Sequence, residues 1–151
     1  MTIENLRNDY QALATDPAFE TFCKNLEYRH GYVLGALGRY ADAKRILEPL
    51  WKGAYPIAGE TLLYIGLGYF SERSFRSAQE CFLECIGVPS EIETYARFYL
   101  GVSYFELGNV RQALQEFERC AGRIEDLGDK KNELATWLKA TESRLSSGGP
   151  E

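Results

Sequence analysis

The sequence predicts an all-α fold of three stacked helical hairpins, with one helix before them and one after them. Two observations carry this prediction. The chain matches itself at a shift of 35 residues, and within each repeat the apolar residues recur at helical rather than alternating spacing. The chain has 151 residues, of which 45% are hydrophobic and 26% charged. That composition is typical of one folded domain rather than of a disordered chain.

The self-match consists of six columns that hold similar residues in all three repeats. One column is glycine, one is alanine, and the other four hold mostly bulky apolar residues. We expect the small residues to let the two helices of a hairpin approach closely, and the bulky residues to fill the space around them. The columns are Gly31, Gly66 and Gly101; Ala43, Ala78 and Ala113; Leu34, Tyr69 and Tyr104; Tyr40, Phe75 and Val110; Leu47, Phe82 and Phe117; and Leu50, Cys85 and Cys120.

A glycine marks the turn between the two helices in two of the three repeats. Gly38 and Gly108 suit the left-handed conformation that commonly ends a helix. Arg73 occupies the corresponding place in the second repeat. We therefore expect the second turn to be strained or to adopt another geometry.

This order of residues resembles the tetratricopeptide repeat, whose usual period is about 34 residues. The resemblance covers residues 24–128 and implies a right-handed superhelix of three helix-turn-helix repeats, at 24–58, 59–93 and 94–128. Two features depart from the usual pattern. His30 stands where a large aliphatic residue is common, and we interpret it as a packed core residue. The closing proline is clear only as Pro56 and Pro89.

The flanking segments complete the predicted stack. In the N-terminal segment, 1–23, Thr2 can cap a helix, and Asp16 with Pro17 can begin the next one. Asp129 is the expected cap of a C-terminal helix at 129–145, which would cover the last repeat, and residues 146–151 are an expected flexible tail. The expected buried stripe of the C-terminal helix is Leu134, Trp137, Leu138, Thr141 and Leu145, and the N-terminal helix carries Ile3, Leu6, Tyr10 and Leu13.

Charge and hydropathy exclude several classes of function. The net charge of −5 and the pI near 5.1 argue against binding to a nucleic-acid backbone, which needs a basic surface. No apolar run is long enough to span a bilayer, and the first residues lack a secretory signal. We expect a soluble, cytoplasmic protein that binds neither membrane nor nucleic acid.

The sequence offers little for catalysis or for cofactor binding. The single histidine has no evident base or nucleophile partner, and the glutamate pairs Glu80/Glu84 and Glu116/Glu118 are interpreted as solvated helix faces. Cys81 and Cys85 are four residues apart and could hold a soft metal weakly, react as thiols, or simply be buried as small apolar residues. We predict a non-enzymatic chain without cofactor or metal.

The resemblance also implies a concave groove lined by the first helix of each repeat, in which such domains bind a peptide or helix of a partner protein. An aromatic wall offers large apolar contact at low entropic cost. The alternative is a groove filled by the N-terminal helix or by a second copy. The predicted partner-binding residues are Tyr28, Arg29, Tyr32, Leu63, Tyr64, Leu67, Tyr95, Phe98, Tyr99 and Val102.

Tyrosines replace the residues of one known binding mode. Repeat domains that serve heat-shock chaperones hold a C-terminal carboxylate with Lys, Asn and Arg, and this sequence has neither Lys nor Asn at the corresponding positions. Carboxylate capture is therefore not expected, and Tyr64 with Tyr99 is expected to contribute to binding rather than to stability. The corresponding positions hold Tyr28, Tyr32, Tyr64, Tyr95 and Tyr99.

The predicted function is a protein-binding module, with three versions left open. In outline the chain resembles the class II chaperones of bacterial type III secretion, which hold hydrophobic subunits before export and often dimerise through the N-terminal region. It could equally be an adaptor or assembly factor, or a regulatory domain that works with a separate catalytic protein. The second repeat, 59–93, has six acidic residues and two arginines. That excess could steer a basic partner, or simply solvate the surface.

Overall fold

The computed structural model describes residues 2–87 and 90–147, and over these ranges it is built of helices without a β-strand. The closing Pro89 and residues 148–151 of the expected tail lie outside the described residues, whereas Ser146 and Ser147, also expected in the tail, are helical. The helices are α1 (Ile3–Ala14), α2 (Pro17–Ala36), α3 (Tyr40–Lys52), α4 (Gly59–Ser71), α5 (Phe75–Glu84), α6 (Glu91–Glu106), α7 (Val110–Ala121), a 3-10 helix (Ile124–Lys130) and α8 (Lys131–Ser147).

The helices from α2 to α8 pack in sequence as three antiparallel hairpins, α2–α3, α4–α5 and α6–α7, followed by α8. The first helices of neighbouring hairpins also touch, α2 against α4 and α4 against α6. This is an all-α helical repeat fold, as the sequence predicts. Among the described residues, no helix is both long and apolar enough to cross a bilayer.

Each hairpin is closed by a glycine on its first helix that faces a bulky side chain on its second helix. A Cβ atom built on Gly66 would lie 2.6 Å from Cε1 of Phe82, and one on Gly101 would lie 2.6 Å from Cε1 of Phe117. In the first hairpin a Cβ on Gly31 would meet Cγ of Leu47 at 2.5 Å. In each hairpin the bulky side chain of the second helix therefore packs directly against the glycine of the first helix. This is the close approach of the two helices that the repeat predicts.

The three turns share one geometry despite their different sequences. Gly38, Arg73 and Gly108 have φ values of 80°, 61° and 87°. In each turn the following residue donates its N–H to a carbonyl five residues earlier, over 2.8–2.9 Å, as in a Schellman motif. Arg73 thus adopts the same turn as the two glycines, with a left-handed backbone conformation that is strained for a residue with a side chain. Its guanidinium lies 5.2 Å from the centre of the Phe75 ring.

The N-terminal end of the stack is open. No residue of α1, all of which is described, is buried, and α1 packs only against α2. The caps are those expected: Thr2 Oγ1 accepts from the Asn5 N–H at 3.2 Å, and Asp16 Oδ1 accepts from the Ala18 N–H at 2.8 Å. These caps determine where α1 and α2 begin, but the side chains of α1 remain exposed.

His30 is exposed, so its interpretation as a core residue is wrong. Ile65 and Leu100 occupy the same column and are fully buried. Their helices, α4 and α6, each pack against the second helix of the preceding hairpin, whereas no hairpin precedes α2. The same face of α2 leaves three apolar residues exposed: Leu26, Val33 and Leu37.

The C-terminal end is covered by α8. Leu134 and Thr141 are buried on its inner face, and Trp137 packs against Phe105 and Phe117. The expected stripe therefore faces the last hairpin. Asp129 is not the cap of this helix, since it lies within the 3-10 helix and α8 begins at Lys131.

One carboxylate predicted to be solvated is buried. Glu116 is only 8% exposed, and it accepts hydrogen bonds from Arg97 at 2.9 Å and from Arg119 at 3.3 Å. The bond from Arg97 to Glu116 links α6 to α7, and Arg97 also donates to Glu93, on its own helix, at 3.0 Å. A buried carboxylate needs such partners, so Glu116 has a packing role, while Glu118 is exposed as expected.

We predict that Gly101→Ala lowers the free energy of unfolding by about 1–3 kcal/mol, because the new methyl group would overlap the Phe117 ring. Urea denaturation measures the change. Gly59→Ala is the matched control, since its Cβ would meet only Ile92 Cγ2, at 3.9 Å. Equal stability of the two variants would contradict the proposed close contact between α6 and α7.

Candidate functional site

A pocket of about 480 Å³ opens between the first helices of the second and third hairpins. We call it the α4–α6 pocket. Its walls combine four tyrosine rings and three aliphatic side chains with three carboxylates and one lysine. The lining residues are Tyr40, Glu60, Leu63, Tyr64, Leu67, Glu91, Ile92, Tyr95, Tyr99, Asp129 and Lys130.

One wall of the pocket is fixed by the packing of Tyr64. A Cβ built on Gly35 would lie 2.2 Å from the Tyr64 ring, so the ring rests directly on the backbone of α2. Tyr32 and Tyr40 contact the same ring, with centroids 5.9 and 6.1 Å away. The Tyr64 hydroxyl donates to Glu60 Oε1 at 3.0 Å. Burial and this neighbouring carboxylate both raise the pKa of Tyr64, which therefore stays protonated as a donor.

The opposite wall is joined to the 3-10 helix by Tyr95. Its hydroxyl donates to the carbonyl of Leu127 at 2.9 Å, and Leu127 itself is fully buried. Thr94 Oγ1 donates to Asp126 at 2.8 Å, a second tie between α6 and the same segment. These contacts hold Asp129 at the rim of the pocket. Burial raises the pKa of Tyr95, and the nearby Asp129 and Glu91 raise it further.

The floor of the pocket includes Tyr99, which packs into the core. Its ring lies 5.1 Å from Phe70 and 5.2 Å from Phe98, measured between ring centres. Burial raises the pKa of Tyr99, while the charge of Lys130 acts in the opposite direction. Lys130 also pairs with Glu133 at 3.2 Å, on the outer side.

Five of the ten predicted partner-binding residues lie together in this pocket: Leu63, Tyr64, Leu67, Tyr95 and Tyr99. Tyr32 stands beside them, 39% exposed, with its edge against Tyr64. Arg29 is exposed on α2 but does not line the pocket.

Tyr28 has a different task from the one predicted. Its hydroxyl shares a hydrogen bond of 3.1 Å with Thr61 Oγ1 and accepts from the Ala58 N–H at 3.2 Å. Its ring packs on Tyr55, 5.4 Å away between centres. Tyr28 thus holds the start of α4 in place and is not part of the pocket wall.

Phe98 and Val102 do not line the pocket, contrary to prediction. Phe98 is 1% exposed and Val102 4% exposed, and both belong to the core cluster. Phe98 packs against Phe117, 6.2 Å away between ring centres. Two inward-pointing positions of α6 are therefore used to join the helices rather than to meet a ligand.

Tyr64 was expected to contribute to binding and not to stability, but its packing in the structure gives it a role in stability. It is 8% exposed and fills the space above Gly35, so removing its ring would leave a cavity between α2 and α4. A test of binding at this site therefore needs residues at the rim rather than Tyr64.

Six lining residues were not among the predicted partner-binding residues: Tyr40, Glu60, Glu91, Ile92, Asp129 and Lys130. Tyr40 was assigned to a packing column. Glu91 and Ile92 fall at the end of the predicted second repeat, 59–93, and not in the first helix of the third repeat. Asp129 and Lys130 come from the 3-10 helix, beyond the repeats. The acidity of residues 59–93 was the one signal that could have pointed to Glu91.

The alternative in which the N-terminal helix fills the groove does not describe this chain. Within the described residues α1 touches only α2, and none of its residues lines the α4–α6 pocket. The N-terminal helix thus leaves the α4–α6 pocket uncovered.

Cys81 and Cys120 are buried, and Cys85 is half-buried. Burial raises the pKa of Cys81, Cys85 and Cys120 to about 12. The thiols of Cys85 and Cys120 face the carbonyls of Gly59 and Thr94, at 3.8 and 3.6 Å, which are equivalent contacts in two repeats. Over the described residues no group of three or more His, Cys, Asp or Glu side chains is arranged to hold a metal ion.

We predict that Cys81, Cys85 and Cys120 resist alkylation in the folded protein at about pH 8, because thiols with a raised pKa stay protonated there and the thiolate is the reactive form. Unfolding in urea exposes them and should speed the reaction strongly. Mass spectrometry of the modified peptides measures each site. Rapid alkylation of Cys81 or Cys85 in the folded protein would contradict this prediction and would favour a reactive-thiol role for these residues.

The comparison with known proteins identifies one of the three hairpins. Residues 95–123 match the tetratricopeptide repeat family, and this range holds most of α6 and all of α7. The match supports a tetratricopeptide repeat in the third hairpin. No curated protein matches the chain.

Proposed function

We propose that this chain is a non-enzymatic protein–protein interaction module that binds an extended segment or a helix of a partner protein in the α4–α6 pocket. The observation that carries the proposal is the convergence of four tyrosines and three aliphatic residues on one open pocket between two repeats. Repeat stacks use surfaces of this kind for recognition. Apolar and ring-bearing anchors of the partner are the natural complement of such walls.

The rigidity of the pocket favours binding. Tyr64 is held by Gly35 and by its bond to Glu60, and Tyr95 by its bond to the Leu127 carbonyl, so these rings lose little freedom when a ligand arrives. Each well-seated apolar anchor would contribute about 1–3 kcal/mol. A few such anchors are enough for micromolar affinity once the costs of association are met.

The narrower function that we propose is that of a class II chaperone of type III secretion, which would hold a hydrophobic subunit before export. What favours this version is the arrangement of one preceding helix and three repeats around a tyrosine-lined pocket. The same arrangement would serve an adaptor or assembly factor, so the identity of the partner decides between them.

We further propose a homodimer formed through the N-terminal region. The apolar stripe of α1 is exposed, and so are Leu26 and Val33 on α2 and Leu37 directly after it, by 50%, 51% and 70%. Only the two residues 15 and 16 connect α1 to α2, and α1 is too short to fold back far enough to cover residues 33–37. A second copy can supply its own α1 to this face. The exposed stripe is Ile3, Leu6, Tyr10 and Leu13.

The binding site is tested with peptides selected from a random display library on the wild-type protein. We predict that Ile92→Arg abolishes their binding, because the long side chain enters the pocket mouth, while the circular dichroism spectrum stays unchanged. Leu83→Arg is the matched control, since Leu83 is exposed on α5 and does not line the pocket. Failure to select any peptide, or equal binding by both variants, would contradict the proposal.

The narrower function uses the same pair of variants in co-expression. A hydrophobic translocator subunit of a type III system should remain soluble and co-purify with the wild type and with Leu83→Arg, but not with Ile92→Arg. A translocator that aggregates with all three would contradict the chaperone role and leave the adaptor role.

For the dimer, we predict that the wild type sediments as two copies and that Leu6→Glu with Leu13→Glu sediments as one, because charges on the α1 stripe cannot be buried. Leu83→Glu with Ile124→Glu is the control for two added charges on other exposed apolar residues. A wild type that remains a single copy at every concentration in analytical ultracentrifugation would contradict the proposal.

A further inference from the structure

The charges around the α4–α6 pocket are unbalanced. Glu60, Glu91 and Asp129 face it with a single cation, Lys130. Lys130 pairs with Glu133 outside the pocket. Neither Glu91 nor Asp129 lies within ion-pairing distance of a lysine or arginine among the described residues, although most of the structural carboxylates in the third hairpin have such partners, as Glu93 and Glu116 do.

The two unpaired carboxylates stand close to the rings. Glu91 and Asp129 line the pocket together with Tyr95, and the charges of both raise the pKa of that tyrosine. The side chains of Tyr40, Tyr64 and Tyr99 also line the pocket. Ring faces attract cations electrostatically, and carboxylates at the rim add Coulomb attraction that weakens with salt.

We propose that the α4–α6 pocket binds a cationic side chain, lysine or arginine, of the partner segment, with the ammonium or guanidinium near Glu91 and Asp129 and the aliphatic stem along the tyrosine rings. This inference rests on the proposed function, because it names the chemistry of the residue that the binding module recognises. Lysine and arginine suit such a site since their stems are apolar and only their ends are charged.

A neutral anchor fits the pocket less well. An apolar side chain would fill the space between the rings but would leave the negative charges of Glu91 and Asp129 at the rim without a charge partner. A partner carboxylate would be repelled by the same two charges. The pocket therefore discriminates by charge as well as by shape.

The test uses four synthetic peptide pools with a fixed central residue and randomised flanks of leucine, proline, phenylalanine and tyrosine. The central residue is lysine, arginine, norleucine or glutamate, and norleucine matches the stem of lysine without its charge. Fluorescence anisotropy measures binding to the wild type, to Glu91→Gln with Asp129→Asn, and to Glu118→Gln with Glu142→Gln. The last variant removes the same charge from two exposed residues outside the pocket.

We expect the lysine and arginine pools to bind the wild type and the control variant about tenfold more tightly than the norleucine pool. The preference should vanish in Glu91→Gln with Asp129→Asn and should shrink as salt is added. If all pools bind with equal affinity, the cation site is wrong while the binding module stands. If no pool binds, both the cation site and the proposed function are overturned.

Discussion

The contact between a glycine and a bulky side chain inside each hairpin is the constraint on which the rest of the structure depends. Phe82 and Phe117 are fully buried against Gly66 and Gly101, and a methyl group at either glycine would overlap the ring. Because the contact recurs every 35 residues, the hairpins are alike and stack in a regular way. Their first helices then lie side by side, and the pocket between α4 and α6 is a consequence of that spacing.

The pocket shows how one residue can serve both the fold and the site. Tyr64 fills the space above Gly35 and thereby joins the first two hairpins, while its hydroxyl bonds Glu60 at the edge of the cavity. Tyr95 likewise ties α6 to the 3-10 helix through the Leu127 carbonyl. The rings that a ligand would meet are thus held by contacts that the fold already needs. Only the rim residues, among them Ile92, Glu91 and Asp129, are available to define specificity.

The repeat columns were sufficient to predict the hairpins and the positions of their turns, which depend on local spacing and on contacts inside one repeat. The caps at Thr2 and Asp16 followed from the preference of Thr and Asp for the start of a helix. The sequence could not predict what depends on neighbours. His30 lies in a column that is buried elsewhere, but α2 has no preceding hairpin to cover it. Phe98 occupies an inward position, yet it packs against Phe117. Asp129 was expected as a cap and lies instead in a 3-10 helix, whose position is set by tertiary contacts to α6.

The central claim is that the α4–α6 pocket is where a partner binds, and tyrosine resonances report on it directly. With isotope-labelled tyrosine, a bound peptide should shift the ring signals of Tyr40, Tyr64, Tyr95 and Tyr99. The signals of Tyr10 on α1 and Tyr55 after α3 should stay in place, since neither lines the pocket. Shifts confined to Tyr10 or Tyr55, with the four pocket rings unchanged, would contradict the account.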